Sequence, residues 1–154
     1  MDSARAGGRR KPTRVTRAAS LHAGATLTAG PLAVRIQDTP ATVWVSSLDR
    51  RPLASSRRLL VAHLTDLQNT GARFAEASRR TLQAWGHLPH LVRAGRAGIA
   101  LHHDAPGTLK AWALDTSGHR VGELPMRVAD GGALLDLDVR GPAGACLAYE
   151  IAAQ

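Results

Sequence analysis

The chain is divided into short runs rich in Val, Leu, Ile, Ala and Thr, and turn residues separate one run from the next. In one such run Val43 and Val45 share a face while Trp44 and Ser46 take the other, which is the period-two alternation of a half-buried strand. The runs recur about every 8–12 residues, with hairpin turns and no alternation of strands with helices. This pattern predicts an all-β fold, an antiparallel β-sandwich of about 8–9 strands. The predicted strands cover 31–37, 42–48, 58–65, 91–92, 97–102, 108–114, 120–128, 133–139 and 145–151.

Three positions refine this prediction. The run 58–65 is apolar on nearly both faces, which is typical of an interior strand. Pro125 lies within 120–128 and indicates a bulge or an edge position, because proline cannot donate to a strand ladder. In 75–85, Leu82 and Trp85 are three residues apart before Gly86 and Pro89, which predicts one short helical segment there.

The segment 64–71 is dense in side chains that hydrogen-bond to backbone, among them Thr65, Asp66, Asn69 and Thr70. Such a segment forms either a loop pinned by its own side chains or a ligand site. We favour the pinned loop.

The first residues carry most of the excess positive charge. The chain has a net charge of +8, and residues 1–20 hold six basic residues against one acidic residue. Because 1–22 also contains Gly7, Gly8 and Pro12 and no apolar periodicity, we predict a disordered basic tail over 1–22 and a β-sandwich domain over 23–154. An alternative function follows from this tail, which is salt-sensitive, non-specific binding of nucleic-acid phosphates by Arg9, Arg10, Lys11, Arg14 and Arg17.

Catalytic, metal and cofactor motifs are not found. His102 and His103 are adjacent, so on a strand they point to opposite faces and do not close on one ion. The chain has neither a Gly-x-Ser-x-Gly elbow nor a Gly-rich phosphate loop, and its single cysteine, Cys146, is expected to be a small buried apolar residue. We expect no catalytic residue, no metal site and no cofactor.

The three tryptophans are the candidate carbohydrate-binding residues. Trp44, Trp85 and Trp112 would form a sugar-stacking platform if they were exposed together, and the alternative is that they pack in the core or at its rim. For localisation, no apolar run reaches the ~20 residues that a membrane-spanning helix needs, and no signal-peptide core precedes the domain. We therefore expect the chain as written to be cytoplasmic, with no membrane partner.

Four segments carry a resemblance to a known family. They are VWVSSLDRRPLASSRRLLVAHLTDLQNTGARF at 43–74, AWGHLPHLVRAGRAGIAL at 84–101, WALDTSGHRVGELP at 112–125 and CLAYEI at 146–151. Together they resemble the C-terminal β-sandwich of large glycoside hydrolases, a domain that follows a TIM-barrel catalytic domain. The resemblance covers about 25–151, most of the chain.

The resemblance implies a non-catalytic accessory module, a detached or truncated part of a larger enzyme. Its implied partners are a TIM-barrel catalytic domain, against which it packs, or a polysaccharide, and its parent enzymes are commonly exported. The catalytic carboxylates of the family belong to the barrel, so no catalytic residue transfers to this chain. One departure stands out, because Arg50 occupies the turn position where the family pattern leads us to expect glycine, and we predict that Arg50 avoids a positive φ.

Overall fold

A computed structural model describes residues 16–154, with side chains described from Leu21 onward. The architecture is all-β, as predicted. Seventeen strands are present in this part of the chain, and all of their pairings are antiparallel. The strands are β1 (Thr16–Leu21), β2 (Thr26–Ala29), β3 (Leu32–Ile36), β4 (Ala41–Ser47), β5 (Arg58–Leu64), β6 (Leu67–Thr70), β7 (Arg73–Phe74), β8 (Leu82–Ala84), β9 (His87–Val92), β10 (Arg96–His102), β11 (Leu109–Leu114), β12 (Arg120–Leu124), β13 (Met126–Ala129), β14 (Gly132–Asp138), β15 (Arg140–Gly141), β16 (Gly144–Ala145) and β17 (Ala148–Ala153).

Two large sheets form the sandwich. One has six strands in the order β1-β4-β5-β17-β11-β12, and the other has five in the order β13-β14-β10-β3-β2. Three two-stranded sheets complete the fold, namely β6-β9, β7-β8 and β15-β16. The run 58–65 is confirmed as an interior strand, because β5 lies between β4 and β17.

The core lies between the inner faces of the two large sheets. Strand β3 alternates buried and exposed residues along its length, so that Leu32, Val34 and Ile36 face inward. With few aromatic residues in the chain, aliphatic side chains fill this layer. Tyr149 is the one large aromatic of the core, and its hydroxyl donates to the Asp138 carbonyl oxygen at 2.8 Å.

The prediction at Pro125 is confirmed in part. The run 120–128 is not one strand but two, since β12 ends at Leu124 and β13 begins at Met126. β12 is the last strand of the six-stranded sheet and β13 is the first of the five-stranded sheet, so the chain passes from one sheet to the other at Pro125. Both are edge strands, where the missing N–H of proline interrupts no interior ladder.

The predicted helical segment at 75–85 is wrong. Leu82 belongs to β8 and pairs with Phe74 of β7, and the chain turns between them with Arg79 at φ 56°. A single apolar pair three residues apart is too weak a signal to specify a helix against strand pairing. The only helical turns in the described residues are the short 3₁₀ segments Leu53–Ser55 and Pro106–Thr108.

The predicted disordered tail is wrong at its C-terminal end. Residues 16–21 form β1, an edge strand paired with β4 from Thr16 opposite Ser46 to Leu21 opposite Ala41. The domain therefore includes residues that we assigned to the tail. Arg17 belongs to β1, whereas the remaining candidate phosphate-binding residues, Arg9, Arg10, Lys11 and Arg14, lie outside the described residues.

No helix in the described part of the chain has both the length and the apolar character needed to cross a membrane.

Candidate functional site

Between β5 and β10 the chain leaves the sandwich as an extension, residues 65–94, which we call the arm. Strand β6 pairs with β9, and β7 pairs with β8, so the arm is one long hairpin interrupted by irregularities in register. Every residue of this stretch is described and none is buried. The arm thus has no hydrophobic core of its own, and an isolated two-stranded hairpin is marginally stable in water.

Polar contacts hold the arm at its base. The Thr65 hydroxyl donates to the Arg93 carbonyl oxygen at 2.6 Å, and the Arg93 N–H donates to the Asp66 carbonyl oxygen at 2.8 Å. From the sandwich, the Thr39 hydroxyl donates to the Ala94 carbonyl oxygen at 2.9 Å. These bonds tie both legs of the hairpin to each other and to the loop after β3.

The Asp66 carboxylate also joins the tip of the arm to its base. Arg79 donates to both of its oxygens at 2.8 Å, and Arg93 Nη2 lies 3.3 Å from Oδ2. The Arg79 hydrogen bonds are the main cause that lowers the pKa of Asp66, so the carboxylate stays ionised. Because Arg79 lies in the turn between β7 and β8, this bidentate pair brings the tip back against the base.

The arm bends at two glycines, Gly71 and Gly86, and this bend allows its tip to fold back against its base. Gly71 and Gly86 have φ of 73° and 70°, a region that L side chains rarely adopt. A β-carbon on Gly86 would lie 2.3 Å from the Thr70 carbonyl oxygen and 2.6 Å from the Ala72 nitrogen. The two legs therefore meet backbone to backbone at Gly86, and no side chain fits between them.

The segment 64–71 is pinned by its own side chains, as predicted, but it is not a loop. Its side chains do bond to backbone, since Asn69 Nδ2 donates to the Trp85 carbonyl oxygen at 3.0 Å and the Thr70 hydroxyl donates to that of Pro89 at 2.7 Å. The segment is nevertheless mostly strand, because Leu67–Thr70 is β6. Its polar side chains pin the arm.

Large apolar side chains on the arm face water. Trp85 is 78% exposed and Leu88 is 69% exposed. Leu67, Leu82 and Leu91 are exposed as well. Several large exposed apolar side chains on one ordered segment are typical of an interaction site, and tryptophan is enriched among the residues that dominate binding energy.

The three candidate tryptophans do not form one platform. Trp44 and Trp112 lie on the outer face of the six-stranded sheet, but β5 and β17 separate their strands and Trp112 is in line with Ser46, which puts the two tryptophans about 16 Å apart at the usual strand spacing. The face of the Trp112 ring is covered by Arg120, whose Cζ lies 3.7 Å from the ring centroid. Trp85 lies on the arm, outside both large sheets.

A charged cluster that the sequence did not reveal lies beside Trp112. Glu150 of β17 is only 4% exposed, and its two carboxylate oxygens accept from Arg58 Nε and from Arg120 Nε, the latter at 2.7 Å. These hydrogen bonds, from Arg120 first, lower the pKa of Glu150. Each oxygen accepts from one arginine, so this carboxylate fastens β5, β17 and β12 together. Arg58 and Arg120 are 92 and 30 residues away in sequence, and no local motif marks the cluster.

The remaining polar candidates have structural partners. His103 is buried, its Nε2 lies 3.0 Å from the Ser56 carbonyl oxygen, and its Nδ1 accepts from the Ala105 N–H at 3.1 Å. Cys146 is 2% exposed, which confirms that it is a buried residue. Within the described residues no group of three or more His, Cys, Asp or Glu side chains is placed to hold a metal ion.

The turn after β4 corrects the prediction for Arg50, which has φ 62°. Asp49 stabilises this turn by accepting from Ser47 and Ser56 hydroxyls at 2.7 and 2.8 Å and from the Arg57 N–H at 2.8 Å. Partial burial would raise the pKa of Asp49, but these hydrogen bonds outweigh it and hold the pKa well below the ordinary 3.8. The hydrogen bonds of Asp49 therefore keep a non-glycine residue in the left-handed region.

Comparison of this chain with protein-family models, with curated proteins and with solved structures gives no match.

Proposed function

We propose that this chain is a non-catalytic accessory β-sandwich module that docks through its arm on the TIM-barrel domain of a glycoside hydrolase. The observation that carries the proposal is the arm, an anchored segment without a core that presents Trp85 and Leu88 to water. The resemblance of residues 43–74 and 84–101 to the C-terminal sandwich of these enzymes supplies the partner.

The arm supports docking rather than flexible linkage. Its base and tip are joined by the bidentate pair of Arg79 with Asp66, and its legs are joined by Asn69 and Thr70. An ordered arm loses little conformational entropy when it binds, which favours affinity. Its exposed leucines and Trp85 offer apolar surface to a partner, and Arg73, Arg80 and Arg93 are exposed on the same arm.

A structural role fits the rest of the chain better than catalysis does. The buried carboxylate of Glu150 is paired with two arginines, and the buried His103 is bonded to backbone on both nitrogens. These groups stabilise the sandwich. The proposed module therefore contributes binding and stability to a partner that carries the catalytic residues.

The proposal is tested by mixing the purified chain with a glycoside hydrolase barrel domain expressed without its own sandwich. The barrels are chosen from enzymes whose sandwich carries the same Asn-Thr-Gly and Trp-Gly-x-x-Pro motifs. We expect saturable binding in isothermal titration calorimetry and a blue shift of tryptophan fluorescence as Trp85 leaves water. Trp85→Ala weakens binding by about 30-fold, the effect of losing an interface anchor worth ~2 kcal/mol.

Trp44→Ala is the matched control, because Trp44 is 40% exposed on the outer face of the six-stranded sheet and lies outside the arm. Its affinity for the barrel is expected to equal that of the unchanged chain. Equal affinities for all three chains, or no binding to any of the barrels, would contradict the proposal.

A further inference from the structure

The outer face of the five-stranded sheet carries a trough along its central strand, β10. Two depressions of about 350 and 290 Å³ share Ala33, Ala100 and Leu134 and thus run together. Gly98 lines the first, and the second reaches His102 at the end of β10. From Gly98 to His102 the trough extends about 13 Å, at about 3.3 Å per strand residue.

Polar side chains converge over Gly98 from both neighbouring strands. Gly98 pairs with Arg35 of β3 on one side and with Asp136 of β14 on the other. Asp136 Oδ1 lies 3.6 Å and Gln37 Nε2 4.0 Å from the position that a β-carbon on Gly98 would take. An acceptor and a donor therefore face each other across a floor that lacks a side chain.

The charges of the walls are arranged to orient a ligand. Asp136 Oδ2 accepts from Arg127 Nη2 at 3.0 Å, which holds the carboxylate and leaves Oδ1 directed over Gly98. The guanidinium of Arg35 is exposed and makes no ion pair with the described side chains. The trough thus offers one carboxylate oxygen, one amide and one free guanidinium around an apolar floor of Ala33 and Ala100.

We propose that this trough binds a neutral glycan chain, with a sugar ring over Gly98. A sugar ring presents C–H groups to an apolar floor and hydroxyls, which both donate and accept, to polar walls on either side. The Asp136–Arg127 pair offsets one charge with another, so the site is not a strongly positive groove of the kind that favours nucleic acid. This inference rests on the proposed accessory function and places its carbohydrate contact on the five-stranded sheet instead of at the tryptophans.

The side chains that line the trough determine the affinity expected for a glycan. No Phe, Tyr or Trp side chain is among the residues that line either depression, so a sugar gains hydrogen bonds but no stacking on such a ring. The walls are open to water, where each hydrogen bond contributes little net free energy. We expect a dissociation constant on the order of 1 mM, a weak contact that tethers an enzyme to its substrate.

The test is a ¹⁵N–¹H correlation titration of the full chain with cellohexaose, xylohexaose, mannohexaose and laminarihexaose. At least one of them is expected to shift the amide signals of Gly98 and Ala100 with a common saturation curve. Gly98→Val fills the trough and reduces the affinity more than tenfold. The fold accepts a side chain there, because the nearest contact of a β-carbon is an ordinary 3.6 Å.

Gly107→Val is the matched control, since a β-carbon on Gly107 meets nothing within 4 Å and Gly107 lies away from the trough. Its affinity for the glycan is expected to be unchanged. Asp136→Asn keeps the shape but removes the charge-assisted acceptor, and it weakens binding several-fold.

Three results would overturn the inference. They are the absence of saturable shifts with all four glycans at 10 mM, saturable shifts confined to residues of the arm, and equal affinities for Gly98→Val and the unchanged chain. The barrel titration is read separately, because Trp85→Ala leaves the trough intact and Gly98→Val leaves the arm intact. Loss of one binding activity with retention of the other therefore identifies which proposal has failed.

Discussion

His63 provides a direct test of the packing between the two sheets. It lies on β5 opposite Val43, faces the core and is fully buried. Among the described residues neither of its ring nitrogens has a hydrogen-bond partner. A buried polar group without a partner costs about 1–3 kcal/mol of stability. We therefore predict that His63→Leu raises the free energy of unfolding by about 1–3 kcal/mol at pH 7.5.

The stability that His63→Leu gains over the unchanged chain grows as the pH falls. Burial lowers the pKa of His63 below 6.5, while the charges of Asp138 and Asp38 act in the opposite direction. Below about pH 6.5 the unfolded chain takes up a proton at this residue and the folded chain does not, so folded stability decreases by up to about 1.4 kcal/mol per pH unit until the folded pKa is reached. His63→Leu removes this contribution.

The assay is urea denaturation at pH 7.5 and pH 5.5, followed by tryptophan fluorescence. The control is His22→Leu at an exposed histidine, which is expected to change stability by less than about 0.5 kcal/mol at either pH. His63→Met is a second variant, because the flexible methionine side chain fits where leucine packs poorly. It therefore separates the effect of removing the unpartnered ring nitrogens from the effect of a poorly fitting leucine. Two results together would refute the reasoning. Both His63 variants would be less stable than the unchanged chain, and their stability would fall between pH 7.5 and pH 5.5 as steeply as that of the unchanged chain.

Three further substitutions test local geometry. Arg50→Gly relieves the positive φ and is expected to stabilise the chain by about 0.5–1 kcal/mol in urea denaturation, and a loss of stability would contradict the account of this turn. Gly86→Ala places a β-carbon against the Thr70 carbonyl oxygen and forces the two legs of the arm apart. Amide hydrogen exchange is therefore expected to accelerate in the arm and not in the sandwich, and unchanged exchange in the arm would show that the bend tolerates a side chain. Glu150→Gln costs about 1–3 kcal/mol at pH 7. Because the folded pKa of Glu150 is lowered, the difference begins to shrink as the pH falls below about 4.5 and is lost as the pH passes through the folded pKa; a difference that persists in stronger acid would contradict an ionic cause.

The strands of the sandwich could be predicted because the signal is local. Val43 and Val45 alternate with polar or exposed neighbours, and a single burial face accounts for that pattern. Pro125 likewise marks its own position, since the absence of an N–H excludes an interior strand. Sequence reasoning did not show that the chain changes sheets there, because that depends on which neighbours β12 and β13 find.

The features that were missed depend on distant residues. The spacing of Leu82 and Trp85 predicts a helical segment over 75–85, whereas the pairing of Leu82 with Phe74 decides the structure there. Glu150 is held by residues from two other strands, and the trough over Gly98 exists only in the register that aligns Arg35 and Asp136. The alignment of residues on neighbouring strands is set when the sheet assembles, and no short sequence motif marks it.

The pinning of the arm over 64–71 could be predicted, but the exposed apolar surface of the arm could not. Asn69 and Thr70 gave a signal for side-chain bonds to backbone, and those bonds are present. The exposure of Trp85 had no such signal, because a large apolar residue in a sequence is more often buried than not.

The proposed docking of the arm on a catalytic barrel can be followed residue by residue. The measurement is hydrogen exchange of the chain with and without the barrel domain. We predict that the barrel slows exchange in Leu67–Thr70 and His87–Val92, with little change in β14 or β17. Unchanged exchange in the arm, or protection confined to the outer faces of the two large sheets, would contradict the claim.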